Sequence, residues 1–250
     1  MEWWQCGLVL LAGLVAGAIN AAVGSGTLIT FPVLLALGFP PVTANISNSI
    51  GLVPASLAGT WVYRRELAGR RAILARLLPA SVAGGIVGAV LLLVLPAKAF
   101  EAVVPVLIVA ALVLIVLQPR LSRRAAAAKS RAQLRALVIA VFLTAIYGGY
   151  FGAAQGVLLM GLLGWLLTSD LQYANGVKNV LATCTGTIAA LVFVITAAGE
   201  VDWLVAGLIA SGSAAGGVVG GHLARRLPPA GLRAFIVVVG LVAVARLLLG

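Results

Sequence analysis

Apolar runs follow one another down almost the whole chain, at 7–22, 27–37, 44–63, 72–95 and 101–118, then at 134–150, 156–167, 174–197, 203–224 and 231–249. The gaps between them are too short to hold a soluble domain. About 20 apolar residues cross a bilayer as a helix, and the backbone polar groups of such a segment must be paired within the protein. The pattern predicts an all-α, polytopic membrane protein with little mass outside the bilayer. Composition agrees: 62% of the residues are apolar, 9% are charged and the mean hydropathy is +1.17. A soluble domain carries about 25% charged residues, so a soluble enzyme, a disordered chain and a disulfide scaffold are excluded. Glu2 and two tryptophans stand where a signal peptide would be basic, so 7–22 reads as a retained span, with Trp3 and Trp4 in the interfacial belt.

The formal charge of +11 does not point to nucleic acid, because of where the positive residues lie. Arg64, Arg65, Arg70, Arg71 and Arg76 share one gap. Arg120, Arg123, Arg124, Lys129, Arg131 and Arg135 share a second, and Arg225, Arg226 and Arg233 a third. These three gaps hold 14 of the 17 basic residues, which marks them as cytoplasmic. The gaps at 95–101 and 198–202 carry Lys98, Glu101, Glu200 and Asp202 and suit the opposite face. Cys6 and Cys184 read as packing thiols, and a single His222 cannot build a metal site, so no metal or cofactor is expected. No Ser/His/Asp set, HExxH or Walker lysine can be assembled either, which argues against an enzyme.

The second half repeats the first. Ala44-Asn45 matches Ala174-Asn175 at an offset of 130 residues, as Gly26 matches Gly156 and Leu28 matches Leu158. Ala83-Gly84-Gly85-Ile86-Val87-Gly88 matches Ala215-Gly216-Gly217-Val218-Val219-Gly220 two residues further on, and Leu95-Pro96 matches Leu227-Pro228. The chain divides into a membrane repeat at 1–118, a basic linker at 119–133 and a second repeat at 134–250. An odd number of segments per repeat forces the two to enter the membrane with opposite orientation. Both chain termini are then external, and the charge of every gap agrees. Inverted repeats of this kind build many secondary transporters, with the solute site near the midplane where the repeats meet.

The second segment of each repeat is short. Residues 27–37 reach about 16 Å as a helix, roughly half the hydrocarbon thickness. Each follows a glycine-dense stretch, Asn20-Ala-Ala-Val-Gly24-Ser25-Gly26 in one repeat and Tyr147-Gly-Gly-Tyr-Phe-Gly152-Ala-Ala-Gln155-Gly156 in the other. Either these segments cross as short helices, or they re-enter and meet at mid-membrane. The charges do not choose between these, and the mid-membrane break is preferred.

The long helix that follows opens on polar residues, Ala44-Asn45-Ile46-Ser47-Asn48-Ser49 and Ala174-Asn175-Gly176-Val177-Lys178-Asn179. Spacings of three put Asn45 with Asn48, and Asn175 with Lys178, on one face. Helix starts offer unpaired N–H groups and a partial positive charge suited to an anion; the plainer alternative is that Asn45 and Asn175 only cap their helices. Lys178 stands apart from the loop clusters, about one turn inside its helix. It is a functional candidate by its depth, or else a lysine that snorkels to the headgroups. Asn20, Ser25, Thr27, Ser49, Gln155 and Asn179 add hydrogen-bond donors, while Gly24, Gly26, Gly152 and Gly156 let backbone approach a solute closely. The six acidic residues lie at or beyond the predicted membrane ends, which leaves no carboxylate for a sodium or proton site.

The stretch from Gly17 through Asn20, Gly24-Ser25-Gly26-Thr27 and Pro32 to Gly38, then Ala44-Asn45-Ile-Ser-Asn48-Ser49, resembles the TauE/SafE family of sulfite-exporter-like membrane proteins. The resemblance extends over both halves and is stronger over 13–66 than over 145–190. It implies a transporter of sulfite, an organosulfonate or a related small anion in the bacterial inner membrane. The expected partners are that anion, the lipid bilayer and, as a candidate, a second copy of the chain. The competing expectations are a transporter of a different solute, a small carboxylate or a neutral metabolite, and a membrane partner protein that transports nothing.

Overall fold

The computed structural model describes residues 1–68, 71–100, 102–103, 105–109, 113, 131–168, 170–223 and 238. Most of the linker and of the runs expected at 101–118 and 231–249 lie outside the described residues. Every regular element among those described is helical. These are α1 (Trp3–Ala22), α2 (Thr27–Ala36), α3 (Pro41–Val62), α4 (Arg71–Val94), α5 (Arg131–Tyr150), α6 (Gln155–Leu166), α7 (Leu171–Thr196), a 3-10 turn (Ala198–Glu200) and α8 (Trp203–Leu223). The helices sit where the apolar runs predict them, to within three residues at most ends.

Among the described residues five helices are long and apolar enough to cross a membrane: α1, α4, α5, α7 and α8. The protein is therefore a multi-pass membrane protein by length and composition. Helix α3 is long enough, but Asn45, Ser47, Asn48 and Ser49 dilute its apolar character over two turns. Helices α2 and α6 are the two short apolar elements.

Two starts differ from expectation. Pro40 precedes α3 with Pro41 at its first position, and Asp170 caps α7 by accepting from the N–H groups of Gln172 (3.0 Å) and Tyr173 (3.2 Å). Proline and aspartate suit these positions for the usual reasons, a preset φ and a carboxylate facing free N–H groups. Asn45 and Asn175 therefore lie inside the first turns and are not caps. Lys178 correspondingly sits nearly two turns into α7 rather than one.

The described helices carry apolar side chains on their outer faces as well as in their core, and bury several polar ones. Leu8, Leu11 and Leu14 of α1, Ile86, Val90 and Val94 of α4, Ile139 and Leu143 of α5, and Leu204 and Val219 of α8 point outward. Asn45, Asn48, Lys178, Asn179 and Thr185 are buried. Trp3, Trp4, Trp61, Trp165 and Trp203 are exposed at or near helix ends, where a membrane interface favours an amphipathic ring.

Helix α1 packs along α8 and α4 packs along α5, while α3 and α7 lie between these pairs and touch each other. Gly84 and Gly216 allow the close approaches: a Cβ on Gly84 would overlap the Phe142 carbonyl, and one on Gly216 the Leu14 carbonyl. One apolar cluster joins α1, α2, α3 and α8, with Phe31, Phe100, Tyr150 and Phe151 packed edge to face at centroid separations of 5.2–6.3 Å. A second, around Leu77, Leu137, Leu159, Leu163 and Val177, joins α4 to α7.

Candidate functional site

Two interruptions, at 23–26 and 151–154, separate α1 from α2 and α5 from α6. A helix that stops leaves its last carbonyls without N–H partners. At the end of α1 the amides of both Val23 and Gly24 turn back onto the Ile19 carbonyl, at 2.8 and 3.2 Å. Lys178 and Asn179 of α7 serve the carbonyls that follow. Lys178 Nζ donates to Asn20 O (3.3 Å) and Ala21 O (3.2 Å), and Asn179 Nδ2 donates to Ala21 O (3.4 Å). At the end of α5 the amides of Phe151 and Gly152 both reach Tyr147 O, and Asn45 Nδ2 of α3 donates to Tyr150 O at 2.9 Å. Each polar helix start therefore satisfies the broken helix of the other half of the chain.

The interruptions also touch directly. Gly156 donates its N–H to Gly24 O at 3.0 Å. Gly24 has φ of +83°, and a Cβ there would overlap the Cα of Gly156, so backbone geometry and space both require glycine.

Beside this contact lies a cavity of about 50 Å³. At ~10–15 Å³ of such space per water molecule, it holds roughly three to five waters or a solute of that size. Its polar lining is Asn20, Thr27, Ser49, Ser56 and Gln155, and glycines form much of the rest. The lining is rich in donors. Thr27 Oγ1 accepts from Asn48 Nδ2 (3.3 Å) and Ser56 Oγ accepts from Asn20 Nδ2 (2.9 Å), which leaves both hydroxyl hydrogens available. Gln155 is buried, and its Nε2 has no partner. The first turns of α2 and α6 border the cavity through Thr27, Gln155 and Gly156, so the positive ends of two helix dipoles face it. Among the described residues, no carboxylate and no cation line it. Lys178 lies one layer behind, on the backbone of Asn20.

The sequence candidates divide in two. Asn20, Gly24, Thr27, Ser49, Gly152, Gln155 and Gly156 line the cavity. Ser25, Gly26, Asn45, Asn48, Asn175, Lys178 and Asn179 do not; they are buried around it, and among them Asn45, Lys178 and Asn179 pair carbonyls at the ends of α1 and α5. Asn48 is bonded to Thr27 and Thr30 of α2. Lys178 is fully buried against α1 and does not snorkel. Sequence reasoning missed Ser56, Gly148 and Gly186. Ser56 was legible in principle, since Ser49, Leu52 and Ser56 recur at helical spacing on one face of α3. Ala182, Gly186 and Ala189 form the matching face of α7, where small side chains leave the room.

The family model for Sulfite exporter TauE/SafE matches residues 9–247. A probable membrane transporter protein of Haemophilus influenzae (strain ATCC 51907 / DSM 11121 / KW20 / Rd) is 24% identical over 240 residues, 96% of this chain and 93% of that protein. The probable membrane transporter protein YfcA of Escherichia coli (strain K12) is 25% identical, over 97% of this chain and 89% of the relative. Probable membrane transporter protein ORF9 of Sinorhizobium sp. is 26% identical, over 96% and 91% respectively. No solved structure matches. The family match runs from Val9 almost to the last residue and takes in both interruptions and the cavity between them, so the chain belongs to the TauE/SafE sulfite exporter family of membrane transporters.

Proposed function

We propose that the protein carries a small oxyanion, sulfite or a short organosulfonate, across the bacterial inner membrane as a secondary transporter or facilitator. The observation that carries this reading is the lining of the central cavity: hydroxyl and amide donors and two helix N-termini, with no carboxylate. Such a lining suits a solute made of acceptor oxygens. The size of the cavity suits an anion of four or five heavy atoms.

The transport cycle in this reading is a rocking of two inverted repeats about that cavity. The packing supports the repeats. Helix α1 on α8 is answered by α5 on α4, and α3 on α8 by α7 on α4. Individual contacts recur as well. Gly84 faces Phe142 and Ile146 as Gly216 faces Leu14 and Ala18, and Gly85 faces Thr185 as Gly217 faces Ala55. Gly24 and Gly152 take matching left-handed conformations, φ +83° and +76°, at the two glycine breaks. The basic gaps at 64–76, 119–133 and 225–233 lie on the cytoplasmic side in this arrangement, and both termini lie outside.

Uptake or release of labelled sulfite and methanesulfonate by vesicles holding the purified protein tests the proposal. Saturable flux is expected, with the two anions competing. Folded protein that moves neither rejects it. A neutral polar solute is the second reading, favoured by the lack of a cation in the lining. Flux of a small polyol in the same vesicles, insensitive to sulfite, supports that reading instead.

A further inference from the structure

Lys178 is the fully buried charged side chain of the described core, and both partners of its Nζ are main-chain carbonyl oxygens. These are the carbonyls of Asn20 and Ala21: the Gly24 amide, which would serve Asn20 in a continuing helix, turns back to Ile19, and α1 ends before Ser25 could serve Ala21. Asn179 supplies a further donor to Ala21. A broken helix end of this kind carries the negative pole of the helix dipole and a cluster of outward carbonyl oxygens. In transporters with discontinuous helices, such carbonyl clusters are where a coupling sodium ion is held, beside a solute bound at neighbouring helix N-termini. Here the same place, beside a cavity lined by Asn20 and by the starts of α2 and α6, is filled by the Lys178 amino group, which belongs to the chain.

We infer that Lys178 is a tethered cation standing where a coupling cation would otherwise bind, so that transport of the anion requires no sodium. The inference rests on the oxyanion reading above and adds the coupling mode to it. Lys178 is a positioning residue. It fixes the end of α1, hence the Asn20 side chain in the cavity, and supplies from one layer back the positive charge the lining lacks. The corresponding end of α5 is served by the neutral Asn45, so the device is built into one half of the site only. Among the described residues this group's only partners are neutral carbonyls, and no counter-ion is paired with it. The transported anion supplies one.

The test uses the full-length protein in vesicles with labelled sulfite. Wild-type flux is expected to be the same, within about twofold, whether the bath contains sodium, potassium or choline. A strict sodium requirement overturns the inference while leaving the oxyanion reading intact. Absence of flux with every cation rejects both. Lys178→Gln keeps amide donors for the carbonyls but removes the charge, and is expected to lower flux by about tenfold or more. Undiminished flux in that variant overturns the inference. Lys178→Ala opens the space, and added ethylammonium or sodium is expected to restore flux where propanol, of similar size and neutral, does not. Equal rescue by propanol marks a packing role and also overturns it. Should Lys178→Ala not fold, the wild-type cation series and Lys178→Gln decide the matter.

Discussion

Gln155 is the side chain on which the cavity's chemistry most depends, because it lines the site and its buried Nε2 has no protein partner. A hydrogen bond from such a donor to a charged group is worth about 1.5–3 kcal/mol, so Gln155 contributes directly to anion binding in this reading. Gln155→Leu is expected to raise the KM for sulfite about tenfold with little change in thermal unfolding, since no protein–protein hydrogen bond is lost; an unchanged KM removes Gln155 from the site. Gly186 makes the complementary case for size. A Cβ there meets only a Val53 methyl at 3.9 Å, so Gly186→Val fills free space. The expected result is loss of methanesulfonate flux before sulfite flux, and equal loss of both contradicts the cavity as the size filter. Lys178 was legible as important from its depth in an apolar run, but its role was not. Burial of a lysine in a sequence says that it needs partners, and only the fold reveals that these are the carbonyls of a helix that stops 158 residues earlier in the chain.

Among the elements, α3 and α7 do work that their sequences conceal. Their polar starts read as ligands for a solute, or as caps, because Asn is common at both kinds of position. The structure gives their caps to Pro40 and Asp170 and uses Asn45, Lys178 and Asn179 to pair the carbonyls of interrupted helices. Helix positions were legible throughout the described residues, since apolar runs bounded by Gly, Pro and charge leave little freedom. The pairing of one half's polar start with the other half's broken end is a long-range fact with no periodicity to announce it. It predicts that Asn45→Leu leaves Tyr150 O without its donor and destabilises the protein by about 1–2 kcal/mol, read as a lower unfolding temperature in detergent. Gly24→Ala is expected to be at least as damaging. The left-handed backbone alone disfavours alanine by about 1–2 kcal/mol, and the new Cβ meets Gly156. A Gly24→Ala protein as stable as wild type contradicts the close contact between the two interruptions.

At the scale of the whole molecule, the described residues combine an outward apolar surface with buried polar helix starts and a small donor-lined space beside the two helix interruptions. Sidedness is a separate prediction at this scale. In a background with Cys6 and Cys184 replaced by serine, a cysteine at Gly199 is expected to react with an impermeant thiol reagent in intact cells, and one at Ala68 only after the membrane is opened. The reverse pattern inverts the orientation drawn from the arginine-rich gaps. The central claim is that an oxyanion sits between Asn20 and Gln155. Anomalous scattering from selenite, a pyramidal oxyanion of the same shape as sulfite, locates it directly in crystals of the purified protein. A selenium peak inside the cavity bounded by Thr27, Ser56 and Gln155 is the predicted result. A well-ordered structure with that space empty, and selenium only among surface arginines, contradicts the account.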